Sequence, residues 1–140
     1  MIKELDPSRL VLNASGWNDM GVGDVRSLHS YPRPRPPEHD GKRACVLGEW
    51  GGLGLPITDH TWPNTWSYEY CRTTNELAYE YSFLLSTLSK MSEKNGLSGA
   101  VITQLTDVEA EADGLMTYDR EVVKMDVEKM KEANKNVIAR

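Results

Sequence analysis

Cysteine is scarce: Cys45 and Cys71 are the two in a chain of 140 residues. They are too few and too far apart for a disulfide framework or a zinc-ligand spacing. Cys45 lies inside an apolar run and Cys71 just ahead of a helical pattern, so both read as reduced thiols. No run approaches the roughly 20 apolar residues of a membrane span. The opening Met1-Ile2-Lys3-Glu4-Leu5-Asp6-Pro7 has neither the charged leader nor the apolar stretch of a signal peptide, and localisation stays open. Basic clusters are missing as well, and the net charge is -5. Phosphate binding relies on grouped Lys and Arg, so nucleic acid is excluded as an expected partner, as is a membrane. No internal repeat occurs, and no low-complexity segment apart from one proline cluster. No cofactor is expected.

The apolar share of 39% and the charged share of 26% fit a soluble globular protein. The length suits one domain spanning 1–140 with a real core, but falls short of the about 250 residues of a complete β/α barrel. Four short apolar runs read as strands: Leu10 to Asn13, Val25 to His29, Ala44 to Gly48, and Ala100 to Gln104. They are nearly continuous rather than alternating, as in parallel strands buried on both faces.

The clearest helix starts where Thr73 and Glu76 form a capping-box pattern and ends at Asn95-Gly96. Leu77, Tyr81, Leu84, Leu88 and Met91 give it an apolar face. A second helix is expected from near Asp119 through Val122, Val123, Val127 and Met130, with a Lys-rich end that suits the helix dipole. Tyr31 to Gly41 holds Pro32, Pro34, Pro36 and Pro37, which remove donors and exclude a regular helix. Gly51 to Tyr70 is a second irregular stretch, with Trp62, Trp66 and Tyr68, and long loops after strands often carry function.

Each predicted strand ends in polar or aromatic residues. In order they are Asn13-Ala14-Ser15-Gly16-Trp17, His29-Ser30-Tyr31-Pro32, Gly48-Glu49-Trp50-Gly51-Gly52 and Gln104-Leu105-Thr106-Asp107-Val108-Glu109. Carboxylates, amides and rings in such places suit a sugar pocket at the C-terminal end of a parallel sheet. Glu49 stands out as an acid delivered by a buried strand beside glycines, although a solvated loop glutamate reads the same way. His29 and Tyr31 point to one side of an extended segment, as ligand groups or as core. Trp17, Trp50, Trp62 and Trp66 suit pyranose stacking, but tryptophan is equally a core filler. At most two of the four are expected to touch a substrate. Asn75-Glu76 reads as a helix cap. Asp107, Glu109 and Glu111 lack a histidine or further ligand cluster, and no metal is expected.

These stretches, with Asp6-Pro7-Ser8-Arg9-Leu10-Val11 and Asp113-Gly114-Leu115-Met116-Thr117-Tyr118-Asp119-Arg120, resemble glycoside hydrolase family 2, which includes β-galactosidases, β-glucuronidases and β-mannosidases. The resemblance implies the C-terminal half of a (β/α)₈ barrel, strands five to eight with their helices. It also implies a retaining exo-β-glycosidase in which Glu49 is the nucleophile and forms a covalent glycosyl-enzyme. Tyr31 would orient Glu49. His29, Trp17, Asn13, Trp50, Gln104 and Asp107 would contact the sugar or support the pocket. The general acid/base of such enzymes precedes the nucleophile, at the end of strand four, and no residue here takes that place. Little or no isolated activity is therefore expected unless another chain supplies it.

The expected partners are a β-glycoside and either the missing N-terminal half barrel or a second copy of the chain. A rival reading is a non-catalytic, self-associating half-barrel module that keeps Glu49 without using it. A third is an ordinary small α/β domain with an open sheet.

Overall fold

The computed structural model describes residues 1–138. A single helical turn, α1 (Ile2–Leu5), opens the chain. The longest strands are β1 (Val25–Ser30), β2 (Ala44–Gly51) and β5 (Leu97–Thr103), all parallel in the order β1-β2-β5. Two short strands, β3 (Leu53–Gly54) and β4 (Glu69–Tyr70), pair with each other in parallel. β2 is hydrogen-bonded on both edges, which fits its nearly unbroken apolar run.

The helix α2 (Thr74–Asn95) forms where its caps predict it. The Thr73 hydroxyl accepts from the Glu76 N–H at 3.1 Å, and the Glu76 carboxylate accepts from the Arg72 N–H at 2.7 Å. Gly96, left-handed at φ 67°, closes the other end with its N–H on the Met91 carbonyl. Leu77, Tyr81, Leu84 and Leu88 of α2 are buried against Leu47 and Trp50 of β2 and Leu97 of β5. The last helix, α3 (Val127–Ile138), packs on α2 through Met130 and Ala133, and Asn134 donates to the Tyr81 hydroxyl at 3.0 Å. Cys45 and Cys71 are free, buried thiols. No helix among the described residues is long and apolar enough to cross a membrane.

One irregularity in β2 decides which side chains meet. Leu28 pairs with Leu47 and His29 with Glu49, so Gly48 is an extra residue in the ladder. Strict alternation would put Leu47 and Glu49 on one face. The bulge instead leaves Leu47 and Trp50 together under α2 and turns Glu49 to the face of His29. Gly48 fits there because a Cβ would lie 2.3 Å from the Ser27 hydroxyl.

Two expectations are corrected here. The partial (β/α)₈ barrel of four strands, each followed by a helix, does not form: the parallel sheet has three strands. Leu10 to Asn13 contributes only an isolated antiparallel bridge, Leu12 to Gly23. Its apolar side chains stay outside the core, with Leu10 76% exposed. The β1–β2 connection is the proline-rich loop, with no helix. The final helix begins at Val127 rather than near Asp119. Val122 and Val123 are drawn into a turn, with the Thr117 N–H on the Val122 carbonyl and Met116 bridged to Val123. Asp126 caps the helix by accepting from the Glu128 and Lys129 N–H groups.

Candidate active site

The β2 bulge presents Glu49 with its side chain 41% exposed, between residues from β1 and β5. The Tyr31 hydroxyl, just past β1, lies 2.5 Å from Glu49 Oε2 and 2.8 Å from the Thr103 hydroxyl at the end of β5. Tyr31 has one proton to give. With the carboxylate accepting it, Thr103 is the donor to the phenol oxygen. Burial first, and then the bond to Glu49, hold the Tyr31 phenol well above the ordinary tyrosine range, so it stays a donor.

His29 completes this side. Its Nδ1 is 3.1 Å from Glu49 Oε2. The approach lies outside hydrogen-bond alignment, leaving that buried nitrogen without a partner. Its Nε2 is 3.1 Å from the Ser15 hydroxyl. The loop carrying Ser15 lies directly on the ring because Gly16, at φ +78°, has no side chain; a Cβ there would be 1.7 Å from His29 Cδ2.

Four aromatic rings run past the carboxylate. Trp17 lies 6.4 Å from Tyr31, Tyr31 stacks on Tyr68 at 3.9 Å, and Tyr68 meets Trp66 edge-on at 5.5 Å. Trp17, Tyr68 and Trp66 are 65%, 43% and 46% exposed, so ring surface is open to a ligand. Gly52, at φ +64°, makes room for the stack, since a Cβ there would lie 2.6 Å from Tyr68.

The residues singled out from sequence separate into two groups. Glu49, Tyr31, His29 and Trp17 come together. Gln104 follows Thr103 across a cis peptide bond, half-buried, its side-chain nitrogen enclosed without a partner. Asn13 is exposed on the loop before Ser15. Trp50 is no sugar platform: it is 2% exposed and stacked on Tyr81 in the core. Asp107 is no sugar ligand either. It is buried, accepting from Lys124 at 2.6 Å and from the Gly114 N–H at 2.7 Å. Both corrections share a cause, since a side chain's face depends on ladder register and long-range packing rather than on position at a strand end. Asn75-Glu76 serves as a cap, as expected.

Sequence reasoning missed the carboxyl pair beyond β5. Asp113 is 1% exposed. Burial pushes its pKa up to about 6, against the Ser67 hydroxyl, which donates to Oδ1 and stabilises the anion. Glu111 is within hydrogen-bonding reach of Asp113, a contact that holds only when one of the two acids carries a proton. Burial raises Glu111 above its usual range, Asp113 opposes that, and the charge of Glu49 adds to the rise. From the sequence, Glu111 reads only as one of three nearby acids without a histidine. Its neighbour Asp113, ahead of a glycine in an acidic loop, offers no local pattern that marks it.

Among the described residues, His60, Asp119 and Glu121 form a group with metal-like spacing. The His60–Asp119 contact of 2.7 Å joins a turn that Asp119 already closes through the Thr117 hydroxyl and the Glu121 N–H. It is accounted for as a loop tie.

Compared with known proteins, the chain matches no family profile and no curated sequence.

Proposed function

We propose that the Glu49 site binds a β-glycoside and that Glu49 is the nucleophile of a retaining glycosidase of the family 2 kind. The observation that carries this reading is the Tyr31–Glu49 bond of 2.5 Å, made on a half-exposed carboxylate flanked by open aromatic rings. A nucleophilic carboxylate needs one oxygen held and the other free to attack. The phenol and the His29 ring both address Oε2, which leaves Oε1 for the anomeric carbon. Thr103 and the Tyr68 stack fix the phenol, and pre-set geometry of this kind is what catalytic placement needs.

Attack by Glu49 forms the Oε–C1 bond while the C1–O bond to the leaving group breaks, its electron pair staying on the departing oxygen. A poor leaving group needs a proton from a second carboxyl about 5 Å from the nucleophile. None of the described residues is assigned that role, so slow turnover of ordinary glycosides is expected from the chain alone. A dinitrophenolate leaves without a proton.

The test follows from this difference. Dinitrophenyl 2-deoxy-2-fluoro-β-glycosides of gluco, galacto and manno configuration are incubated with the chain, and labelled peptides are mapped by mass spectrometry. A fluorosugar on Glu49, absent in Glu49→Gln, is the expected result. No label on Glu49 with any of the three removes the nucleophile assignment.

A second reading, a non-catalytic interaction module, is favoured by the free outer edge of β5, where Val101 is 56% exposed. An open edge of this kind invites a further strand. Unlabelled protein that elutes as a dimer would support it.

A further inference from the structure

We propose that the Glu49 pocket selects uncharged glycones and rejects uronic acids, with Glu111 and Asp113 as the selecting groups. The inference rests on the reading of Glu49 as the centre of a glycoside pocket and names the substrate class of that site.

Two further carboxyls flank the ring platform: the Ser67 hydroxyl, next to Tyr68 in the chain, donates to Asp113, and Glu111 is bridged to Trp66. The Tyr68 phenol is raised first by burial and then by the charges of Glu111, Asp113 and Glu49. Glu111 also feels Glu49 directly. Asp113 is nine-tenths buried and more, and the Gln104 side-chain nitrogen is enclosed without a partner. An enclosed amide donor suits a hydroxyl-bearing ligand, whose oxygen can accept from it.

Among the described residues of this chain, the two cations placed beside the site, Lys124 and Arg33, are both engaged. Uronate recognition relies on charge-assisted bonds from Arg or Lys. Lys124 is the basic group that acts on Asp113. It is fully buried, and its ammonium is held 2.6 Å from Asp107 and 3.0 Å from the Ala112 carbonyl. Arg33, two residues beyond Tyr31, is engaged by Glu80 at 2.6 Å and Glu69 at 3.1 Å. A uronate would therefore add a negative charge to a partly desolvated acidic site, with neither of these cations free to oppose it. Neutral pyranoses keep the stacking on Trp17, Tyr68 and Trp66 and avoid that repulsion.

The experiment measures affinities of gluco- and galacto-configured 1,5-lactams and of their C6-carboxylates for the 140-residue chain, by ligand-observed NMR near neutral pH. At least one neutral lactam is expected to bind about tenfold or more tightly than its carboxylate, and Glu111→Gln to narrow that gap severalfold. Glu111 is half-buried, and circular dichroism verifies the fold of the variant. Carboxylates binding as well as neutral lactams would overturn the inference and leave the Glu49 pocket standing. A gap unchanged both in Glu111→Gln and in a folded Glu111→Gln, Asp113→Asn double variant would overturn the role of these acids. Binding of no lactam, with no fluorosugar on Glu49, would remove the pocket reading and this inference with it.

Discussion

Glu49 and Trp50 are neighbours in the chain and face opposite sides of the same strand. The Trp50 side is closed: its ring is 2% exposed, stacked on Tyr81 and surrounded by leucines of α2. The Glu49 side is open, with half-exposed rings beside a carboxylate that is 41% exposed. Apolar packing is satisfied within the chain, because any well-shaped hydrocarbon serves as a neighbour. A carboxylate and ring surface left open to solvent are what a ligand can use. The difference teaches that stability and site chemistry reside on separate faces of β2, and substitutions should separate them.

The largest effect is expected at Trp50. Trp50→Ala leaves a cavity under α2 and should lower unfolding free energy by about 3–5 kcal/mol in urea titration. A loss below about 1 kcal/mol would break the picture of a closed core face. Next is the pH dependence set by Asp113, whose folded pKa of about 6 lies above the unfolded value near 3.8. Between those values the folded chain holds a proton that the unfolded chain has released, so stability falls as pH rises through this window. The total is roughly 3 kcal/mol. Asp113→Asn should flatten that slope, as seen by denaturation midpoints across the window, and an unchanged slope would show that burial does not strain the acid.

Thr73→Ala removes the α2 cap and is expected to cost about 1 kcal/mol in the same titration, because the Glu76 N–H loses its acceptor. The smallest stability change is expected for Tyr31→Phe, within about 1 kcal/mol, since Glu49 is half-exposed and water replaces the lost donor. Its fluorosugar labelling rate should nonetheless fall severalfold. A variant that unfolds instead would mean that the site face carries stability after all.

Much of the architecture was readable from local signals. Thr73, Glu76 and Gly96 bound α2 because capping involves residues within about four positions of one another. Val25, Ala44 and Ala100 mark the three sheet strands because continuous burial leaves a continuous apolar run. Leu10 to Asn13 carried the same signal and did not become a strand of the sheet, since a run that short needs a partner surface. Val122 and Val123 matched a helical period, yet the Thr117–Val122 bond held them in a turn.

At the site, the sequence by itself determined the identity of the carboxylate and its companions on adjoining strand ends: Glu49, Tyr31, His29 and Trp17. Only the tertiary structure decided that Gly48 bulges and so parts Glu49 from Trp50. It alone withdrew Asp107 into a buried pair with Lys124, set Glu111 beside Trp66 and put Asp113 on the Ser67 hydroxyl. The physical reason is range. Caps and periodic faces are made by neighbours along the chain, whereas a one-residue slip in a ladder reverses every later side chain, and a buried charge is settled by whichever distant group packing supplies.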